Sequence, residues 1–215
     1  MSAPTRETHK FDKSTEAELH RLLDESKIGH FAFVVDGLPR VMPIAIVRDR
    51  AHNNGGDVLL HGSTGSPWLR LLATGVPVAL SVTELDAIVV ARSAFESSMQ
   101  YRSAVLFGSC VAVGDDERVR GLDLLTDGLV PGRASEVRAH RAKELAATLT
   151  LRMRVEEWTL KISDDWPDDD QADVDGPAWA GVVPLAKGYG SQLPAPDLRP
   201  GITVPDSVRK LYSPE

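Results

Sequence analysis

The sequence predicts a chain that is mainly β with flanking helices, an α+β protein built on an antiparallel barrel or sandwich. Three observations carry this. About seven short stretches are rich in β-branched and aromatic residues and end at Gly, Asp, Asn or Pro turn signals. Only a few stretches repeat apolar residues at helical spacing. No regular strand–helix–strand alternation of a doubly wound sheet runs through the chain.

The elements follow in order. Residues 1–13 read as a flexible arm. Thr15 and Glu18 fit a capping box, and Leu19, Leu22 and Leu23 form the apolar face of a first helix. Ile28 to Val35 reads as a buried strand, Asp36-Gly37 as a hairpin turn, and Arg40 to Val47 as the return strand. Pro43 confines that strand to an edge or a bulge, because it has no N–H for a ladder. Val58 to His61 is a short strand, and Ser66 with Pro67 suits a helix start. Val76 to Val82 and Ala87 to Ala91 are the next strands, and Tyr101 to Val113 is a longer one interrupted near Gly108. Asp115 to Leu129 reads as an amphipathic helix and Arg141 to Ala147 as a short one. A strand over Thr148 to Ile162 places Leu149, Leu151, Met153 and Val155 on one face. One domain over residues 14–185 is expected, with residues 186–215 as a proline-rich surface tail.

Composition narrows the function. The chain has 215 residues, 42% hydrophobic and 26% charged, which is ordinary globular usage. Its net charge of −7 is carried by the seven aspartates between Asp164 and Asp175; the rest is balanced. With no basic excess to neutralise phosphates, nucleic acid is not an expected partner. No apolar run approaches the ~20 residues of a membrane span, so no membrane partner is expected either. The polar N-terminus lacks a signal-peptide core. The single cysteine, Cys110, makes no internal disulfide, and a cytoplasmic location is expected. The histidines show no metal-ligand spacing, so no metal site is expected. The aspartate run lacks the glycine and closing glutamate of a calcium loop and reads as solvated.

The most specific local signal is the segment from His61 to Arg70. A strand ends, a loop of Gly62, Ser63, Thr64, Gly65 and Ser66 follows, and a helix begins at Pro67-Trp68. Backbone N–H groups and hydroxyls in such a turn can cradle a phosphate monoester; the same residues also serve a plain strand-to-helix turn. The spacing is neither a P-loop nor a dinucleotide fingerprint. His61 lies on the face of Leu59 by alternation, as a titratable group beside a ligand or as a satisfied strand-end histidine. Tyr101, Arg102 and Ser103 open a strand where a charged group and hydroxyls could hold an electron-rich ring. Trp179 offers a stacking surface or a core plug. No Gly-x-Ser-x-Gly elbow is present, so demanding chemistry would belong to a cofactor.

In order, Val58-Leu59-Leu60-His61-Gly62-Ser63-Thr64-Gly65-Ser66, Ala91-Arg92-Ser93-Ala94-Phe95, Ser98-Met99-Gln100-Tyr101-Arg102-Ser103-Ala104-Val105, Val130-Pro131-Gly132-Arg133, Lys143-Glu144-Leu145-Ala146-Ala147-Thr148 and Trp179-Ala180-Gly181-Val182 form a familiar series. Together they resemble the flavin-nucleotide-binding branch of the pyridoxamine 5′-phosphate oxidase-like split-barrel superfamily. They are also similar to its nitroimidazole-resistance reductases. The resemblance implies a six-stranded FMN-binding split β-barrel that forms a homodimer with flavin at the subunit seam. It implies that Arg40, Val41, Met42, Pro43 and Ile44 lie along the flavin ring, that His61 to Trp68 form the phosphate loop, and that Tyr101, Arg102 and Ser103 reach the ring edge. It places His61 near the active face, as a tentative catalytic residue.

The chain departs from the family pattern at Pro67, where relatives commonly carry a basic residue. It also lacks the C-terminal pattern of the true oxidases; the tail reads Arg209-Lys210-Leu211-Tyr212. The resemblance therefore implies a flavin oxidoreductase, with FMN, or else FAD, as cofactor. It would pass electrons from a reduced nicotinamide or deazaflavin donor to a small electron-poor substrate. The alternative is a non-catalytic binder of flavin or haem in the same fold, with a histidine such as His61 as axial ligand.

Overall fold

The computed structural model describes residues 14–212. Helix α1 (Glu16–Glu25) opens it, with Thr15 accepting from the Glu18 N–H at 3.2 Å. Strands β1 (Ile28–Val35) and β2 (Leu38–Ala45) form a hairpin about Asp36 and Gly37, whose φ values of 51° and 75° suit a tight two-residue turn. Strands β3 (Val47–Asp49) and β4 (Asp57–Ser63) follow, then α2 (Pro67–Leu72). The long strands β5 (Pro77–Val90), β6 (Ser98–Ala112) and β7 (Thr148–Ser163) carry most of the sheet. Helices α3 (Asp115–Leu129), α4 (Arg133–Glu136) and α5 (Ala142–Ala147) lie between β6 and β7. A short α6 (Gln171–Val174), β8 (Gly181–Pro184) and α7 (Asp206–Tyr212) complete the chain.

The antiparallel sheet runs in the order β2-β1-β5-β6-β7-β4-β3, with β8 paired to β5 beyond β1. Its two end strands, β2 and β3, are separated in the chain only by Ile46. The sheet must therefore curl until its ends meet, yet β2 and β3 share no ladder. That is a split barrel. The strand containing Pro43 is one of the two edges, as its missing N–H requires.

Several expectations are corrected. Eight strands are present among the described residues rather than about seven, and β3 and β8 supplement the six implied by the resemblance. The return strand stops at Ala45, and Val47 belongs to β3, paired with Leu59. The segments at Val76–Val82 and Ala87–Ala91 are one strand: Asp86 is an extra residue between the pairs Leu85↔Tyr101 and Ala87↔Gln100. The irregularity near Gly108 is a bulge in β7, where Glu156 is extra. Gly108 is required there because a Cβ would lie 1.8 Å from the Arg154 carbonyl oxygen. The tail holds α7, anchored where the Ser207 N–H donates to Glu136 at 3.0 Å. The N-terminal arm lies outside the described residues.

Alternation along β4 and β7 assigns the two faces. Val58, Leu60, Leu151 and Met153 point into the barrel with Phe31, Leu80 and Leu106. Leu19, Leu22 and Leu23 of α1 and Leu69 and Leu72 of α2 pack into the same core. Leu59 points outward and packs with Val113 and Leu125 beneath α3.

Candidate functional site

The residues selected from the sequence gather in three places. The first is the end of β4. His61 lies on the outer face of the sheet, and its cavity of about 160 Å³ is lined by Leu122, Thr126, His140, Glu144 and Thr148. His61 Nδ1 is buried and has no hydrogen-bond partner among the described residues. Burial pushes the imidazole below its ordinary pKa, so the ring is held neutral. His140 approaches the same cavity with its Nε2 3.0 Å from Asp123.

The loop after His61 is hydrogen-bonded, and its donors are engaged differently from what was expected. The Thr64 N–H donates to the Ala147 carbonyl at 3.0 Å, Gly65 N–H to Ser63 Oγ at 3.1 Å, and Ser66 N–H to the Ser63 carbonyl at 3.0 Å. The Thr64 hydroxyl also turns to Ala147. The backbone part of the expected cradle is thus engaged within the turn. The Ser66 hydroxyl caps no backbone group of α2. Gly62 permits the close approach of α2, since a Cβ there would meet Leu69 Cδ1 at 2.5 Å.

The second place is the core-facing side of the β1–β2 hairpin, near its turn. The register Phe33↔Arg40 and the start of α2 bring Arg40 and Met42 to Pro67 and Trp68. They line a cavity of about 350 Å³ with Phe33, Val35 and Leu71. The Phe33 and Trp68 rings stack, with centroids 6.1 Å apart and planes 15° from parallel. The exposed Arg40 guanidinium stands beside Pro67, where a cation was missing from the loop. Val41 and Pro43 are exposed on the opposite face, while Ile44 packs against the core. Phe33 was not selected from the sequence, although the two-residue turn at Asp36-Gly37 fixes its pairing with Arg40.

The third place is apart from these within one chain. Arg102 is held by Asp86 in a two-point contact of 2.8 and 2.9 Å and by Glu25 at 2.6 Å. The bulge at Asp86 creates this pair, and its hydrogen bonds raise the guanidinium pKa further. Tyr101 lies beneath the Lys161 ammonium, 5.6 Å from the ring centroid. Ser103 pairs with Thr83 and Lys161 within the sheet. Trp179 is 66% exposed, so it does not plug the core; its ring covers Gly181.

A second polar cluster, unremarked in the sequence, sits at the other end of the α3-facing sheet. Asp49 is fully buried and accepts from Arg120 at 3.1 Å and Arg152 at 3.0 Å. Burial alone would raise its carboxyl pKa, but those hydrogen bonds outweigh it and hold the group below its usual value. His52 and Glu117 extend the network. No group of three or more His, Cys, Asp or Glu among the described residues could hold a metal ion. No helix among them is long and apolar enough to cross a membrane.

With the split barrel and these sites in place, comparison with known proteins is decisive for the family. The family model for pyridoxamine 5′-phosphate oxidase matches residues 15–162. The chain belongs to that family. Among solved structures, the FAD and haem binding protein from Mycobacterium smegmatis is 48% identical, covering 93% of this chain and 96% of that one, with a TM-score of 0.87. The flavocytochrome Anf3 from Azotobacter vinelandii is 28% identical over 97% of this chain and 95% of that one, with a TM-score of 0.85. A 5-nitroimidazole antibiotic resistance protein from Bacteroides thetaiotaomicron, described there as putative, shares the fold at 14% identity. It covers 69% of this chain and 84% of that one, with a TM-score of 0.57. No curated protein matches the chain.

Proposed function

We propose that this chain is a flavin- and haem-binding redox protein, with FAD rather than FMN as its flavin. The observation that carries the reading is the 48% identity, over nearly the whole of both chains, to a protein described as binding FAD and haem. The 28% identity to a flavocytochrome supports it. The sequence alone favoured FMN and kept FAD and haem as alternatives; this reading puts FAD first, supported by the relative described as binding FAD and haem.

The residues present suit both groups. Arg40, Met42, Trp68 and the Ser66 hydroxyl would hold the flavin: the guanidinium pairs with a phosphate, and the hydroxyl donates to it. The stacked Phe33 and Trp68 form a flat, rigid wall that excludes water. His61 suits the haem iron, because its imidazole lines the cavity beneath α3 and burial holds it neutral, with a lone pair to give. When bound, flavin takes two electrons from a donor and haem iron exchanges them singly. In this reading the donor is a reduced nicotinamide or deazaflavin and the acceptor a small electron-poor molecule.

The same proposal includes a homodimer. Edge strand β2 exposes Leu38 and Val41, and β1 beside it exposes Ile28 and Val34. A second copy that covers this surface would bring Tyr101, Arg102 and Ser103 of one protomer toward the hairpin wall of its partner. The test is reconstitution of the purified chain with FAD, FMN and hemin. The expected result is retention of FAD and hemin after gel filtration, with FMN bound at least tenfold more weakly. A chain that retains neither flavin nor hemin contradicts the reading.

A further inference from the structure

Two polar atoms in the body of the sheet are buried with no partner although nothing about the fold forces this. One is His61 Nδ1 and the other is Thr150 Oγ1. They are not independent. His61 and Thr150 are directly paired across the β4–β7 ladder, so their side chains leave the sheet on the same face. Thr150 is 1% exposed. Its methyl group meets α3, where a Cβ built on Gly121 would lie 3.4 Å from Thr150 Cγ2. Valine would fill the same space on a strand without burying a hydroxyl. An unmet buried hydroxyl is destabilising, so the choice of threonine calls for an explanation.

A histidine that ligates a metal supplies one. The ligating nitrogen gives up its lone pair, the proton resides on the other nitrogen, and that N–H needs an acceptor to fix the ring's tautomer and angle. A threonine hydroxyl accepts such a bond and keeps its own hydrogen for a neighbour. Here Nδ1 is the buried nitrogen without a partner and Thr150 is its cross-strand neighbour, so Nε2 is the nitrogen assigned to the iron.

We infer that Thr150 is a positioning residue for His61: its hydroxyl accepts the Nδ1–H bond when Nε2 ligates haem iron. This rests on the haem reading above. It goes further by assigning a role to a residue on a different strand. Two partnerless atoms become one bonded pair in the loaded protein, so the arrangement is preset for the ligand rather than for the empty fold.

The test uses the full chain reconstituted with hemin and FAD, with Thr150→Val, Thr150→Ser and His61→Ala variants. Outer hydrogen bonds to ligating histidines commonly change metal affinity by about 10–100-fold. Thr150→Val should therefore bind hemin about tenfold more weakly and show a haem midpoint potential shifted to more positive values, because the imidazole loses electron density. Thr150→Ser should restore both. Measured without hemin, where ligand binding adds no stability, the urea midpoints of Thr150→Ser and His61→Ala should stay close to that of the parent and that of Thr150→Val should not fall below it, which separates positioning from folding. Wild-type affinity and potential in Thr150→Val, with a haem band that still depends on His61, would overturn this inference and leave the haem reading standing. A parent protein with no His61-dependent haem band would overturn both.

Discussion

The outer face of the β4–β7 ladder carries two polar regions under the same helix, and they are built differently. At one end Asp49, Arg152, Arg120, Glu117 and His52 are bonded to one another. At the other end His61 and Thr150 are buried side by side, each with an unpartnered atom. Leu59 and the backbone of Gly121 separate them. A buried charge left without a partner is prohibitive, so the first region must satisfy itself for the chain to fold. A neutral imidazole and a hydroxyl are tolerable when unmet, so the second can be left open for something else. The difference distinguishes a network that holds the helix to the sheet from the place proposed above for a ligand.

The largest expected effect breaks the first region. Asp49→Ala leaves the Arg152 and Arg120 guanidinium groups without their buried acceptor, and removal of one partner from such a pair typically costs about 3–5 kcal/mol. Urea denaturation should report a loss of that order. Acid should work in the same direction. Asp49 and Asp24 have depressed carboxyl pKa values, so their contribution is complete above the ordinary value of 3.8 and is lost as the pH falls through the folded values below it. Unfolding midpoints measured from pH 6 down to pH 2 should drop below about pH 4 in the parent and more shallowly in Asp49→Ala.

The next effect concerns the flavin wall. Among the described residues Arg40 has no carboxylate partner, whereas Arg102 is already held by Asp86 and Glu25. Arg40→Ala should weaken flavin by about ten- to a hundredfold, the equivalent of a charged hydrogen bond worth about 1.5–3 kcal/mol. Arg102→Ala should mainly lower stability. Fluorescence titration and thermal unfolding of both variants would check this, and the reverse ranking would shift the ring site toward β6.

A smaller effect is expected at the loop. With its own N–H groups engaged, the loop contributes chiefly the Ser66 hydroxyl. Ser66→Ala should therefore weaken FAD by about tenfold, the equivalent of ~1.5 kcal/mol. It should leave riboflavin, which lacks the phosphate, almost unchanged. Calorimetric titration of both ligands would measure this gap.

Much of the fold was legible because its signals are local. The β1–β2 turn declares itself in Asp36-Gly37, α1 in Thr15 and Glu18, and α3 in its acidic start and apolar spacing. The joining of two apparent strands into β5 was not legible, since Asp86 looks like a turn residue until β6 pairs on both sides of it. The candidate loop was read correctly as a strand-to-helix junction. Its hydrogen bonding was not, because the acceptor for Thr64 comes from Ala147, far along the chain. Thr150 was invisible for the same reason: nothing near it in sequence marks it, and only the register of β4 on β7 sets it against His61. Asp49, too, becomes distinctive only when Arg120 and Arg152 converge on it.

The most direct test of the central claim is the absorption spectrum of His61→Ala beside that of the parent, each reconstituted with FAD and hemin and freed of excess ligand. The account predicts that the parent shows a flavin band and an intense Soret band. His61→Ala should keep the flavin band while it loses the Soret band, and its unfolding free energy measured without hemin should stay within about 1 kcal/mol of the parent's. An unchanged Soret band in His61→Ala would contradict the assignment of haem to the open end of the β4–β7 ladder.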